Sequence, residues 1–260
     1  MGGRIAPAAY GRRRAVGLAL FVLLAFGMSS SVGSAPTELP NLAADRPFHV
    51  VVGETDDGTG EALRFSLYVA NRGEWPLDLE SRPAYVDTSR SQAWQCTSWT
   101  TTRACVARRL AGTLRWHEAH GHFHFVDFAE YELRRLVTGR VDWSARGVVA
   151  RQGKVSFCLM NGPRDPSSEE DPFGPNPAYV CGGWVGLQGI SPGYADIYDW
   201  KLPGQFVPLA GVPNGRYALT VRLNVTGSLE ETDRRDNRTA IGIVLKGRPG
   251  DRRISKFNLP

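Results

Sequence analysis

The chain has 260 residues, 22% charged and 42% hydrophobic, with a formal net charge of +5 and a pI near 9.2. The positive excess is concentrated at the start: residues 1–34 hold Arg4, Arg12, Arg13 and Arg14 and no acid, which leaves 27 basic against 26 acidic side chains in the rest. A near-neutral body excludes nucleic acid and anionic membrane as partners on charge grounds.

Residues 1–34 read as a signal peptide: a basic opening, an apolar stretch from Ala15 to Met28, and small residues up to a cleavage point at Ser34 or Ala35. The apolar stretch is shorter than the roughly 20 residues that span a bilayer, so no stable membrane insertion is expected after cleavage and the product is secreted. The remainder, about 225 residues with seven tryptophans, is enough to bury one core. A single domain is expected over residues 35–246.

Strand signals follow in chain order: HVVV after Phe48, LRFSLYVAN from Leu63, FHFVDFAEYEL from Phe123, KVSFCL from Lys154 and YALTVRLNV from Tyr217. Turn clusters lie between them at Asn71-Arg-Gly, Ser191-Pro-Gly and Pro213-Asn-Gly. No stretch keeps a helical period. The class is therefore all-β, a single-domain antiparallel β-sandwich with long loops. The Pro-rich, acidic run from Asn161 to Pro177 reads as a surface loop, and residues 247–260 as a basic tail, flexible or packed on an edge. Four cysteines in an exported chain favour disulfides, with three pairings formally open. Short loops select Cys96 with Cys105 and Cys158 with Cys181.

Five histidines occur, and four of them, His117, His120, His122 and His124, fall within the eight residues from 117 to 124. On a strand, positions i, i+2 and i+4 share a face, so His120, His122 and His124 would form a row about 6 to 7 Å apart that can converge on one ion. Imidazoles suit copper, zinc, iron or nickel, and the pattern alone leaves these open. His117 is out of phase with the row and is assigned a supporting place. His49, alone in a strand-like segment, reads as a packed or exposed histidine. His122-Phe-His124 followed by Glu130 also fits a cupin, but no histidine follows His124 to complete such a site.

WHEAHGHFHF from Trp116, followed by DFAEYEL, resembles the copper-binding motif of the lysyl oxidase family. GKVSFCL (Gly153 to Leu159) looks like the family block whose lysine enters the cofactor, and GLQGISPGYADIY (Gly186 to Tyr198) like the block whose tyrosine supplies the other half. The likeness runs from Trp116 to Asn237. It implies that His120, His122 and His124 bind Cu2+ and that Lys154 and Tyr198 join as lysine tyrosylquinone. The Lys154 amine has an ordinary pKa near 10.4, so joining requires a site that favours its neutral form. The implied activity is a secreted amine oxidase that turns primary amines, peptidyl lysine included, into aldehydes. Dioxygen is the oxidant, and hydrogen peroxide and ammonia are released.

The catalytic base is less fixed by the resemblance. A family histidine after the copper row aligns with Glu130 only across a one-residue gap, and strand parity from His120 places Glu130 on the copper-facing side. Asp196, two residues before Tyr198, ranks first and Glu130 second. ETDRRDN (Glu231 to Asn237) resembles a family calcium segment, completed by Asn41-Leu42. Glu231, Asp233, Asp236, Asn237, Asn41 and Leu42 are thus Ca2+ candidates, against a charged hairpin turn. Ala119 stands where animal members carry a cysteine, which leaves Cys181 to pair with Cys158. A non-enzymatic exported copper-binding β-sandwich is the second reading, and a zinc hydrolase on the same histidines the third.

Overall fold

Each of the five predicted segments is a strand, because β-branched and aromatic side chains at alternate positions fit a pleated, half-buried surface. The computed structural model describes residues 2, 38–82, 89–118, 120–165, 179–181 and 186–260, apart from the side chains of Gly153 and Lys154. The rest of the proposed signal peptide, Ala119, and residues 166–177 of the Pro-rich loop lie outside these residues. The strands are β1 (Leu42–Ala44), β2 (Phe48–Glu54), β3 (Glu61–Asn71), β4 (Leu77–Arg82), β5 (Arg90–Trp99), β6 (Cys105–His117), β7 (His122–Val137) and β8 (Arg140–Val141). They continue as β9 (Val148–Phe157), β10 (Leu187–Ile190), β11 (Ala195–Tyr198), β12 (Phe206–Pro208), β13 (Gly215–Leu223), β14 (Arg238–Arg248) and β15 (Asp251–Phe257). Among the described residues the only helical turn is 3-10, at Ala145–Gly147, and no helix is long and apolar enough to cross a membrane.

The strands form two antiparallel sheets. In the smaller, β3 is flanked by β1 and β2 and by β11 and β12. The larger runs β10-β4-β5-β6-β7-β13-β14-β15, with β8 and β9 also on β7. Leu63, Phe65, Leu67 and Val69 of β3 share one core with Phe125, Tyr131 and Leu133 of β7 and Leu219 and Val221 of β13. The Phe65 and Tyr131 rings meet edge to face at 4.8 Å across the two sheets, and each such buried side chain contributes about 1.5–3 kcal/mol. The basic tail runs along β14 as edge strand β15, where arginine and lysine discourage further pairing.

Both disulfides, Cys96–Cys105 and Cys158–Cys181, are formed with Cα–Cα distances of 5.9 Å. The first closes the β5–β6 hairpin and the second ties the end of β9 to the far side of the Pro-rich loop. Of the strands without a clear signal, β5 and β6 are half exposed and irregular. Register shifts at Ala93/Trp94 and Cys96/Ser98 break the period-two pattern on which a sequence reading depends.

Candidate metal centre and redox pair

The histidines lie on a tight hairpin rather than on one continuous strand. β6 ends at His117, β7 begins at His122, and these two residues pair across the ladder. Gly121, at φ 65°, takes the left-handed conformation that the turn requires, and the N–H groups of His120 and Gly121 both donate to the His117 carbonyl. His120 therefore sits in the turn, not in a strand row, and the parity that set His117 apart does not apply. His117 is inside the cluster: its ring stacks on His124 at 4.7 Å and 13° and lies 4.1 Å from that of His120.

Ring nitrogens converge on His124 Nε2, with His120 Nδ1 at 3.2 Å and His122 Nε2 at 3.1 Å. Two nitrogens each bound at about 2.0 Å to one ion, at near-tetrahedral angles, are about 3.2 Å apart. The donor set therefore fits a transition ion such as copper. One ligand atom each of His117, His120 and His124 lies within 4.8 Å of the others, and His117 Nδ1 is buried with no partner. Burial, then the neighbouring histidines, lowers His124 to about 3; burial likewise lowers His120 and His122. Neutral rings keep lone pairs for a metal. The backbone of Ser156 in β9 lies by the His124 ring, and that of His120 by the His122 ring.

A second cluster sits on the core face. Tyr198 Oη donates to Asp196 Oδ2 at 2.8 Å, Met160 N–H donates to the same oxygen at 3.2 Å, and the Tyr198 ring lies 3.9 Å from that of Phe157. Asp196 is 4% and Tyr198 2% exposed. Burial raises the Asp196 carboxyl to about 7 and holds the Tyr198 phenol well above its usual value. Strand β9 links the clusters, since the Ser156 backbone lies by His124 and the next residue, Phe157, meets Tyr198. They occupy opposite faces, however. Leu114, Phe125 and Phe157 point into the core with Tyr198, whereas His117, His122 and His124 alternate with core-facing residues on β6 and β7. Among the described residues no hydrogen bond or ring contact joins the histidines to Tyr198.

Lys154 lies in a β-bulge. Ala129 pairs with Val155 and Tyr131 with Gln152, so one residue of β7 faces two of β9, Gly153 and Lys154. Its side chain is outside the described residues.

Glu130 is not brought to the histidines. It ion-pairs with Arg222 at 3.0 Å and Arg151 at 3.3 Å, beyond an irregular stretch of β7 in which Asp127 has φ 61°. Both of its carboxylate oxygens face guanidiniums from β9 and β13, a placement that does not favour the general-base role given it from strand parity. Tyr131, fully buried with its hydroxyl on Gln205 Oε1 at 2.9 Å, and Gln188, described below, join the site's surroundings without any sequence signal beyond apolar or polar strand character.

The calcium candidates divide. Asn41 Nδ2 donates to Asp236 Oδ2 at 3.0 Å, Asn237 Nδ2 to Glu231 Oε1 at 2.7 Å and Leu42 N–H to Glu231 Oε2 at 2.9 Å. Asn224, missed in the sequence, adds its Nδ2 to Glu231 Oε1 at 2.7 Å. Burial raises the Glu231 pKa. Asn41 Oδ1, Asp236 Oδ1 and Asn237 Oδ1 are buried without partners, a set of hard oxygens that fits calcium. Leu42 presents its N–H rather than an oxygen here. Asp233 is outside the group, held by Arg235 at 2.6 Å because the two lie side by side in an exposed turn.

A family model described as Lysyl oxidase matches residues 91–251. The chain is 32% identical to the protein-lysine 6-oxidase of Gallus gallus over 186 residues, 71% of this chain and 34% of that protein. Identity to the protein-lysine 6-oxidase of Sus scrofa is 32% over 176 residues, 67% of this chain and 53% of the relative. Lysyl oxidase homolog 1 of Homo sapiens is 32% identical over 144 residues, 55% of this chain and 22% of the relative. The chain thus spans about half the length of these relatives or less.

Proposed function

Because this chain belongs to the lysyl oxidase family, we propose that it is an exported copper-dependent amine oxidase that converts primary amines, peptidyl lysine among them, to aldehydes with dioxygen. Hydrogen peroxide and ammonia are the co-products. The observation that carries the reading is the convergence of His120, His122 and His124 ring nitrogens at metal-ligand spacing, with His117 beside them. Copper held there supplies electron exchange with dioxygen, and lysine tyrosylquinone made from Lys154 and Tyr198 supplies the carbonyl that takes up the amine.

The chain's own groups divide the remaining work. Asp196, with a carboxyl near 7, gains and releases a proton close to neutral pH and is the favoured base. Met160 N–H and Tyr198 Oη hold its Oδ2. The tyrosine described here is the unmodified side chain, closed against the core at 2% exposure. An amine can reach it only once this packing opens. Two disulfides and the basic-apolar opening of the sequence support export. Asn41, Glu231, Asp236 and Asn237 are proposed to hold Ca2+, with Leu42 N–H steadying Glu231.

The alternative is an exported copper-binding β-sandwich that never forms the crosslink, and the burial of Tyr198 away from the histidines favours it. Peptide mapping after aerobic copper loading separates the two. The amine oxidase gives one Lys154–Tyr198 crosslinked species with visible absorbance and peroxide release on adding alkylamine; two unmodified peptides would sink it.

A further inference from the structure

Gln188 occupies the place where two strands part. Phe125 of β7 pairs with Phe157 of β9, and the same register continued would set Phe123 opposite Leu159. The direct backbone bond is replaced by one side chain: Gln188 Nε2 donates to the Phe123 carbonyl at 2.6 Å, and Leu159 N–H donates to Gln188 Oε1 at 3.1 Å. Gln188 is 1% exposed, so this amide is the buried spacer that sets how far apart the two segments lie. Its own backbone is pinned, since Gly189 N–H donates to the Leu159 carbonyl at 2.9 Å. A Cβ at Gly189 would meet the Leu77 carbonyl oxygen at 2.0 Å, so only glycine lets β10 approach this closely.

The two bonds join the parts of the proposed site. The Phe123 carbonyl belongs to the peptide leading into His124, and Phe123 is flanked by His122 on its other side. On the opposite end Leu159 precedes Met160, whose N–H holds Asp196. We propose that Gln188 is a positioning residue for the metal site, its amide fixing the His122–His124 backbone against the 158–160 segment. This rests on the reading of the histidines as copper ligands. Glutamine suits the position because one planar group offers a donor and an acceptor, at a reach that asparagine lacks.

The test is copper affinity of the full-length protein by competition titration, with the copper electron paramagnetic resonance spectrum as second readout. Gln188→Leu removes both bonds, and Gln188→Glu keeps the acceptor for Leu159 N–H while losing the donor to Phe123. Gln95→Leu is the control. Gln95 is equally buried and makes the same two-bond clamp, to Glu230 N–H and carbonyl at 2.8 Å each, away from the histidines. Both Gln188 variants are expected to bind copper about 10- to 100-fold more weakly than Gln95→Leu, with altered spectra. A loss smaller than tenfold, unchanged spectra, or failure of every Gln188 variant to fold where Gln95→Leu folds would overturn the positioning role. Absence of tight copper binding in the wild type would instead remove the underlying reading.

Discussion

Tyr198 donates its phenol to Asp196 at 2.8 Å, inside a core from which both are almost wholly excluded from water. Desolvation disfavours the anion and outweighs the bonds from Tyr198 and Met160, so the Asp196 carboxyl rises from an ordinary 3.8 to about 7. The folded chain then holds this proton more tightly than the unfolded one. The stability this contributes is fully present below pH 3.8 and is lost as pH rises through about 7. Amine oxidation should move the opposite way, increasing as Asp196 ionises near pH 7. Thermal melts and rates across this range should show both trends in the wild type and neither in Asp196→Asn. Parallel pH profiles for the two proteins would remove Asp196 as the base.

The tight hairpin makes His117 a member of the cluster. His117→Ala is expected to weaken copper binding by about tenfold or more, whereas His49→Ala, in an exposed bulge of β2 at φ 44°, should leave it unchanged. Competition titration decides. Equal affinities in the two variants would return His117 to a supporting place.

Much of the fold and most of the site's composition could be read from the residues, and what could not had definite physical causes. Strands with strong alternation, such as β3 and β13, were legible because one face is buried throughout. β5 and β6 were not, because bulges and long charged side chains hide the buried face. The histidine motif marked residues whose rings do cluster, but period-two reasoning assumed an extended chain through Gly121, where the backbone turns. Glu130 shows the same limit: parity assigns a face and says nothing of Arg151 and Arg222, which arrive from β9 and β13. Gln188 and Asn224 carried no signal because their roles arise from long-range backbone partners.

The oxygen cluster around Glu231 predicts a calcium response that separates the sequence candidates. Calcium at about 100 times its Kd should stabilise the wild type by about 2.7 kcal/mol, read as a rise in Tm. Glu231→Gln should abolish the rise, since Glu231 is the hub for Asn224, Asn237 and Leu42. Asp233→Asn should keep it, because that carboxylate is already spent on Arg235. Loss of the response in both variants would place Asp233 back among the ligands.

The two disulfides should differ in worth because they close loops of different length. Cys158–Cys181 spans 23 residues and Cys96–Cys105 spans 9. By chain entropy these correspond to about 3.4 and about 2.6 kcal/mol. Replacing both members of a pair by serine should therefore lower stability more for Cys158 and Cys181. The longer bridge has a second consequence. Cys158 lies between Phe157, which meets Tyr198, and Leu159, which Gln188 holds, so its loss loosens the segment shared by the proposed redox pair and metal site. Denaturant unfolding should give the stability order, and copper titration should show weaker binding in the Cys158 and Cys181 variant alone. Equal copper affinity in both would mean that Gln188 and the β7–β9 ladder hold this segment without the disulfide.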